Sequence, residues 1–486
     1  MFSSGIGGGG FMTVRIPPEN PGDSSQVFFI NFRETGPALA NSTMYPPHSN
    51  TSLYGGLAVG VPGEIRGLAE AHRRWGTLPW KTLVQPSVIL AKGWKLQNEL
   101  AKRITWFPSL MLGNPDWSAV FAPSGSFLKE GQIISRSNYS RTLEAVSEDP
   151  DAFYKGPIAD SLIRKVRATG GILSHADLEN YTVKVGRALQ GTYRGRKVYT
   201  SQAPASGPAL LHMLNLVEKF PMTTRTPLNV HRTVEALKFG FAARTKICDP
   251  AFNEDAERIE EISSKAFADL IGRNITDDQT HPPDYYNPIY DVPMDHGTSH
   301  TSVVDKNGMA VSLTSTINTV FGSQVLDPET GIIMNNEMDD FSIPGQRSTA
   351  GMWPSPFNYP EAGKRPLSSI TPTIVENPDG SLAAVVGGSG GSRIFGAVFQ
   401  ALLNLDFGLD ASAAVEYSRL HNQLYPDFVE VDPGYAPDVL AGLAARGHAL
   451  AAMPRVAAVV QLVVQQPDGQ IFAASDSRKN GIASGY

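Results

Sequence analysis

Cysteine is nearly absent from this 486-residue chain: Cys248 stands alone, which excludes an intrachain disulfide framework and a thiolate metal cluster. No run approaches the ~18 uninterrupted apolar residues of a membrane-spanning helix. Positive charge is also scarce. Lys and Arg number 41 against 47 Asp and Glu, a net charge of −6. Without a basic block there is no electrostatic footprint for nucleic acid. The opening residues, MFSSGIGGGGFMTVRI, lack the basic start and apolar stretch of a signal peptide. Five N-x-[ST] sequons nevertheless occur, at Asn41, Asn50, Asn138, Asn180 and Asn274, as would suit a secreted chain.

What is present is a globular composition, 41% apolar and 18% charged, enough to pack a sizeable core. Residues 10–16 and 26–32 read as strands joined by a polar loop, and 55–104 as helical. Helical patterns return at 157–168, 208–220 and 230–247. Residues 275–297, rich in Pro, Asp and Tyr, have no usable period and read as an exposed linker. The texture then changes. SHTSVV and MAVSLTSTI, separated by DKNG, make the clearest hairpin in the chain, and further strands follow at 371–376, 382–387, 457–464 and 470–474. Helices are expected near 394–404, 411–418 and 436–446. Clustered antiparallel strands with helices before and after predict an α/β fold of stacked sheets covered by helices, not a doubly wound one.

Several motifs compete for the chemistry. GIGGGG at 5–10 satisfies G-x-G-x-x-G, but it opens a strand rather than a helix and reads as a tight loop with close backbone approach. His296 and His300 in HGTSH lack the Glu of a zinc helix. GGSGG at 387–391 places Ser389 in G-x-S-x-G between a strand and a helix. Asp406 or Asp427 and His421 or His448 could complete a triad. The competing reading is a Gly-rich loop whose free N–H groups make an oxyanion site, and it suits the antiparallel context better. Thr298 begins the hairpin after Gly297. A Thr hydroxyl needs an adjacent base, and an N-terminal Thr supplies its own α-amine, which requires cleavage between Gly297 and Thr298. If Lys306, Asn307 and Gly308 form a three-residue turn, Asp305 pairs with Met309 and Thr298 lands opposite Thr316. A two-residue turn would put Thr316 on the other face.

TSHTSVVDKNGMAVSLTSTINTVFGSQV, GIIMNNEMDDFS, GKRPLSSITPTIV and GGSGGSRI resemble the γ-glutamyltransferases (γ-glutamyl transpeptidases), which are N-terminal-nucleophile hydrolases. SSGIGGGGFM, FRETGP, GVPGEIRGL, FYKGPIA and the closing IASGY fit the same family, and Glu337 and the loop before GKRPLSS resemble its eukaryotic members. The resemblance implies a four-layer αββα sandwich and self-cleavage between Gly297 and Thr298. Residues 1–297 become a large subunit and 298–486 a small one. Thr298 would attack the γ-carbonyl of glutathione or another γ-glutamyl compound, and water, an amino acid or a dipeptide would accept the glutamyl group.

By the same resemblance Thr316 hydrogen-bonds the nucleophile and Gly390 and Gly391 form the oxyanion hole. Arg33, Ser368 and Ser369 hold the substrate α-carboxylate; Asn318, Glu337 and Asp340 take its α-ammonium. A zwitterion needs a cation at one end and acceptors at the other, so the division is chemically sound. No metal or organic cofactor is implied. The resemblance further implies an extracellular, membrane-associated or vacuolar location. It also implies an anchor or signal, then a helix and a strand, ahead of SSGIGGGG. Met1 sits almost on that motif, so the expectation is a shortened chain that matures poorly. Three rivals remain: a serine hydrolase using Ser389, a non-catalytic relative, and an acylase of different specificity, the last opposed by Arg33 and Asp340.

Overall fold

The computed structural model describes residues 2–20, 23–46, 49–254, 256–291, 297–345, 347–348, 351–453 and 458–486. Two antiparallel sheets form its centre. The first has five strands in the order Lys184–Arg187, Gln26–Asn31, Gly9–Ile16, Ala310–Thr316 and Ser299–Val304. The second has six, in the order Ile471–Ser475, Val459–Gln465, Leu382–Ser389, Thr373–Glu376, Arg196–Thr200 and Leu189–Tyr193.

Period-two alternation decides which residues lie between the sheets. Phe11, Thr13 and Arg15 point inward from one strand: Phe11 stacks on Phe29 at 5.7 Å, Thr13 donates to Pro372 O and Arg15 pairs with the buried Glu376. Met12 and Val14 point outward, toward Leu68, Ala71 and Trp75 of the Glu64–Trp75 helix. Helices Trp80–Lys92, Ser137–Glu148 and Pro157–Ala168 complete that outer layer, and Val88, Val146 and Leu162 of these pack in one cluster. The second sheet is covered by Gly207–Val217, Pro227–Arg244 and Ile394–Asp406, whose apolar residues join it in the largest core cluster. The four layers run α, β, β, α.

GIGGGG lies where backbones nearly touch. A Cβ on Gly8 would fall 1.9 Å from Thr316 O and one on Gly10 2.0 Å from Thr314 O, so the run is a packing device. Among the described residues the linker is mostly exposed or half-buried, as expected, but a few of its side chains anchor it to the body. Tyr286 is 3% exposed, and its hydroxyl and that of Thr280 both donate to Glu235 on the Pro227–Arg244 helix, each at 2.7 Å. Lys238 donates to Thr280 Oγ1 and His281 O, and His231 bonds Thr276 O at 2.7 Å. The polar linker residues thus have buried polar partners waiting on the helix. Three strands between 184 and 200 have no counterpart in the sequence reading.

Candidate active site

The hairpin turn is the three-residue form. Asp305 N donates to Met309 O at 2.9 Å, Gly308 takes φ +80, and Val304 pairs with Ala310. Ser299 then pairs with Ser315, and the register carries Thr298 to Thr316. Thr298 Oγ1 donates to Thr316 Oγ1 at 3.3 Å, and both residues are buried. Asn318 N in turn donates to Thr316 Oγ1 at 2.8 Å, which fixes that hydroxyl.

The bond ahead of Thr298 is held in an unusual backbone. Thr298 has φ +87, a region costly for a β-branched residue, and Gly297 has φ +100. A Cβ on Gly297 would lie 1.8 Å from Asn318 O, so no other residue fits. Gly390 N donates to the Gly297 carbonyl oxygen at 3.1 Å. Gly390 (φ +134) and Gly391 (φ +63) follow the Leu382–Ser389 strand and lead into the Ile394–Asp406 helix. Their backbone angles turn the loop so that an N–H faces the strained peptide.

A second group lies beside it. Arg33, only 1% exposed, donates from Nη1 to Glu337 and from Nη2 to Asp340, and further to Leu367 O at 3.0 Å. Asn318 Nδ2 donates to Asp340 Oδ1 at 3.1 Å, linking this cluster to the hairpin. Ser368 and Ser369 are buried directly after Leu367; Ser368 Oγ accepts from Ile370 N. The structure therefore brings Arg33, Asn318, Glu337 and Asp340 together and joins them to Thr298 through Thr316 and Asn318.

Among the described residues Ser389 has no histidine partner. Its Oγ accepts from Lys479 Nζ at 3.3 Å. His421 bonds Gln423, His448 bonds His231, Asp427 pairs with Lys238 and Asp406 with Arg196. His300 bonds Thr314 and Ser302, and burial pushes it down to about 3. His296 lies outside the described residues. Lys479, which sequence reasoning missed, also donates to Thr298 O at 3.1 Å. Its only sequence signal is its place just ahead of the IASGY ending.

A family model described as gamma-glutamyltranspeptidase matches residues 1–486. The chain belongs to the γ-glutamyltranspeptidase family. As a member it is an enzyme that cleaves γ-glutamyl bonds. It is 40% identical over 502 residues to glutathione hydrolase proenzyme 1 of Schizosaccharomyces pombe, matching 100% of this chain and 78% of that protein. It is likewise 40% identical to a glutathione hydrolase proenzyme of Arthroderma benhamiae, over 98% of this chain and 82% of the relative. In fold it resembles the cephalosporin acylase of Bacillus halodurans, with a TM-score of 0.84 and 23% identity over 100% of this chain and 89% of the other. The Helicobacter pylori γ-glutamyltranspeptidase superposes with a TM-score of 0.52 and 26% identity, over 57% of this chain and 81% of its own. The four-layer sandwich of an N-terminal-nucleophile hydrolase follows from the family and from these folds together.

Proposed function

We propose that Thr298 is the nucleophile of two successive acyl transfers, one on its own chain and one on glutathione or another γ-glutamyl compound. In the first, Thr298 Oγ attacks the Gly297 carbonyl carbon while the Gly390 N–H takes the developing oxyanion. Breaking the 297–298 C–N bond gives an ester on Thr298 Oγ and frees the α-amine. Water opens the ester, leaving a Gly297 carboxylate and a chain of 298–486 that starts with Thr298. The observation that carries this reading is the Gly390 N–H on the Gly297 carbonyl, at the one peptide among the described residues whose flanking residues both have positive φ and whose far side bears a hydroxyl.

In the second transfer the free amine takes the Thr298 Oγ proton as that oxygen attacks the γ-carbonyl. The amine then returns the proton to the departing amino group. Water or the amino group of an amino acid or dipeptide accepts the glutamyl unit. Gly390 and Gly391 hold the oxyanion in each step. The substrate head group enters between Arg33 and the Glu337 and Asp340 carboxylates that pair with it. Its α-carboxylate takes the Arg33 fork with the Ser368 and Ser369 hydroxyls, and its α-ammonium takes Asn318, Glu337 and Asp340. A substrate lacking either charge leaves buried groups unpaired, at a cost of about 2–5 kcal/mol. Among the described residues no helix is long and apolar enough to cross a membrane. An extracellular or vacuolar setting is supported by the exposure of Asn41, Asn50, Asn180 and Asn274, four of the five sequons.

The test is a denaturing gel with N-terminal sequencing and mass measurement of the purified protein. Two chains are expected, the shorter beginning Thr-Ser-His-Thr. A single uncut chain that still hydrolyses glutathione would overturn the nucleophile assignment.

A further inference from the structure

Lys479 stands near the end of the chain, in the short turn Ser477–Lys479, yet its ammonium reaches the first residue of the proposed small subunit. It donates to Thr298 O at 3.1 Å and to Ser389 Oγ at 3.3 Å. The Phe2 ring lies 5.9 Å from Nζ and shields it on one side. The charged groups facing it come from the Asn98–Ile104 helix: Arg103, whose like charge repels it, and Glu99, whose opposite charge attracts it. Glu99 offsets this only in part, because its two oxygens are held by Arg103 Nη2 and Asn480 Nδ2, each at 3.1 Å. Around Thr298 stand the neutral, buried His300, two residues along the same strand face, and Asp340, reached through Thr316 and Asn318.

We propose that Lys479 is a positioning residue for the nucleophile, holding the Thr298 carbonyl and keeping the Thr298 α-amine in its basic form by placing a like charge beside it. The inference rests on Thr298 being the freed N-terminus. A carbonyl oxygen lies at most about 3.6 Å from the nitrogen of its own residue. Lys479 Nζ is therefore within about 7 Å of the amine that cleavage would release. Two ammonium groups that close, in a partly desolvated site, cannot both keep their protons through the neutral range, and they titrate as a pair. The first proton leaves at a lower pH than either amine alone would allow. Burial also pushes the lysine down to about 8, consistent with a site that disfavours positive charge. A general base must be unprotonated to accept the Thr298 hydroxyl proton, so the arrangement extends activity toward lower pH.

Three variants separate charge from hydrogen bonding. Lys479→Gln keeps a donor for the Thr298 carbonyl without the charge, Lys479→Met removes both, and Lys479→Arg keeps both. Each is purified, checked for the chain beginning at Thr298, and its kcat/KM for glutathione followed across pH. The acidic limb is expected to move about one unit alkaline in Lys479→Gln and Lys479→Met, and to stay in place or move further toward acid in Lys479→Arg. Cleaved variants with unmoved limbs would overturn the proposal while leaving the Thr298 assignment intact. So would a Lys479→Gln chain that fails to cleave where Lys479→Arg cleaves, because the charge would then belong to the maturation step. A wild-type chain that is never cut would instead remove the nucleophile reading on which this one stands.

Discussion

The Gly390 N–H and the Gly297 carbonyl oxygen are hydrogen-bonded at 3.1 Å in the uncut chain. The donor proposed to stabilise the γ-glutamyl intermediate is thus already engaged by the chain's own carbonyl, one residue ahead of Thr298. The two reactions are mutually exclusive in space, since the peptide must leave before a substrate carbonyl can take its place.

That overlap sets the behaviour of variants at the junction. Thr298→Ala has no attacking oxygen, and Gly297→Ala forces a Cβ to 1.8 Å from Asn318 O at a φ of +100. Both are expected to remain a single chain with no measurable glutathione hydrolysis, while Thr298→Ser still cuts, more slowly. Denaturing gels over time read this directly. Normal processing of Gly297→Ala would mean that the uncut loop is not held as described.

Removing Arg33 should cost stability as well as binding. Arg33→Met strands the buried Glu337 and Asp340 carboxylates, a loss of about 3–5 kcal/mol for a broken buried pair. Adding Glu337→Gln and Asp340→Asn to it should restore much of the thermal stability but none of the activity toward glutathione. Thermal melts paired with kinetics separate the two effects; additive destabilisation by all three changes would contradict the pairing.

Stability should fall on both sides of a mildly acidic optimum. Burial pushes Glu34 up to about 7 and Glu64 up to about 8, so the folded chain keeps protons that an unfolded chain releases above about 4.5. That contribution is complete at low pH and is lost as pH rises toward 8. His212, His300, His421 and His448 are pushed down to about 3 by burial, the reverse case. Their contribution is present above the ordinary histidine value of 6.5 and is lost as pH falls toward about 3. In Glu64→Gln the alkaline decline should be shallower than in the wild type by up to about 1.4 kcal/mol per pH unit. Identical melting curves across pH for the two proteins would show that Glu64 does not titrate there.

Ser389→Ala, which loses one hydrogen bond from the Lys479 ammonium, is expected to process and to hydrolyse glutathione within about tenfold of the wild type. Fluorophosphonate should not label Ser389 in the native protein. Labelling there, with activity abolished by the substitution, would revive a serine mechanism.

The Thr298 hairpin was legible because its determinants are local. Asp305 through Met309 specify the turn, and the turn alone puts Thr298 opposite Thr316. Other parts depend on contacts between distant segments. Arg33 meets Glu337 and Asp340 across 304 and 307 residues, which a motif can suggest but no period can show. Lys479 was invisible because nothing near it in sequence says that the chain's end folds back on Thr298. The linker lies at the surface as its composition says, but the anchoring of Thr276, Thr280 and Tyr286 was not legible, because their partners lie on a helix whose own polar residues, Glu235 and Lys238, are buried by the same meeting. The strands at 184–200 were missed because Lys, Arg and Gly dilute their alternation, and two of them are sheet edges where residues face water.

The sheet order has a consequence for the proposed cut after residue 297. In the first sheet Gly9–Ile16 is zipped to Ala310–Thr316, and in the second Arg196–Thr200 to Thr373–Glu376, so each sheet is sewn from both pieces along one interior seam. The uncut chain can find these seams by closing loops within itself, at a rate independent of dilution. The cut protein has lost that tether. Once fully unfolded, its two pieces must meet by collision before either sheet can close, so recovery should become second order and fade on dilution. Heat that the precursor survives by refolding would then be irreversible for the finished enzyme, and the severed bond would act as a one-way ratchet on its lifetime.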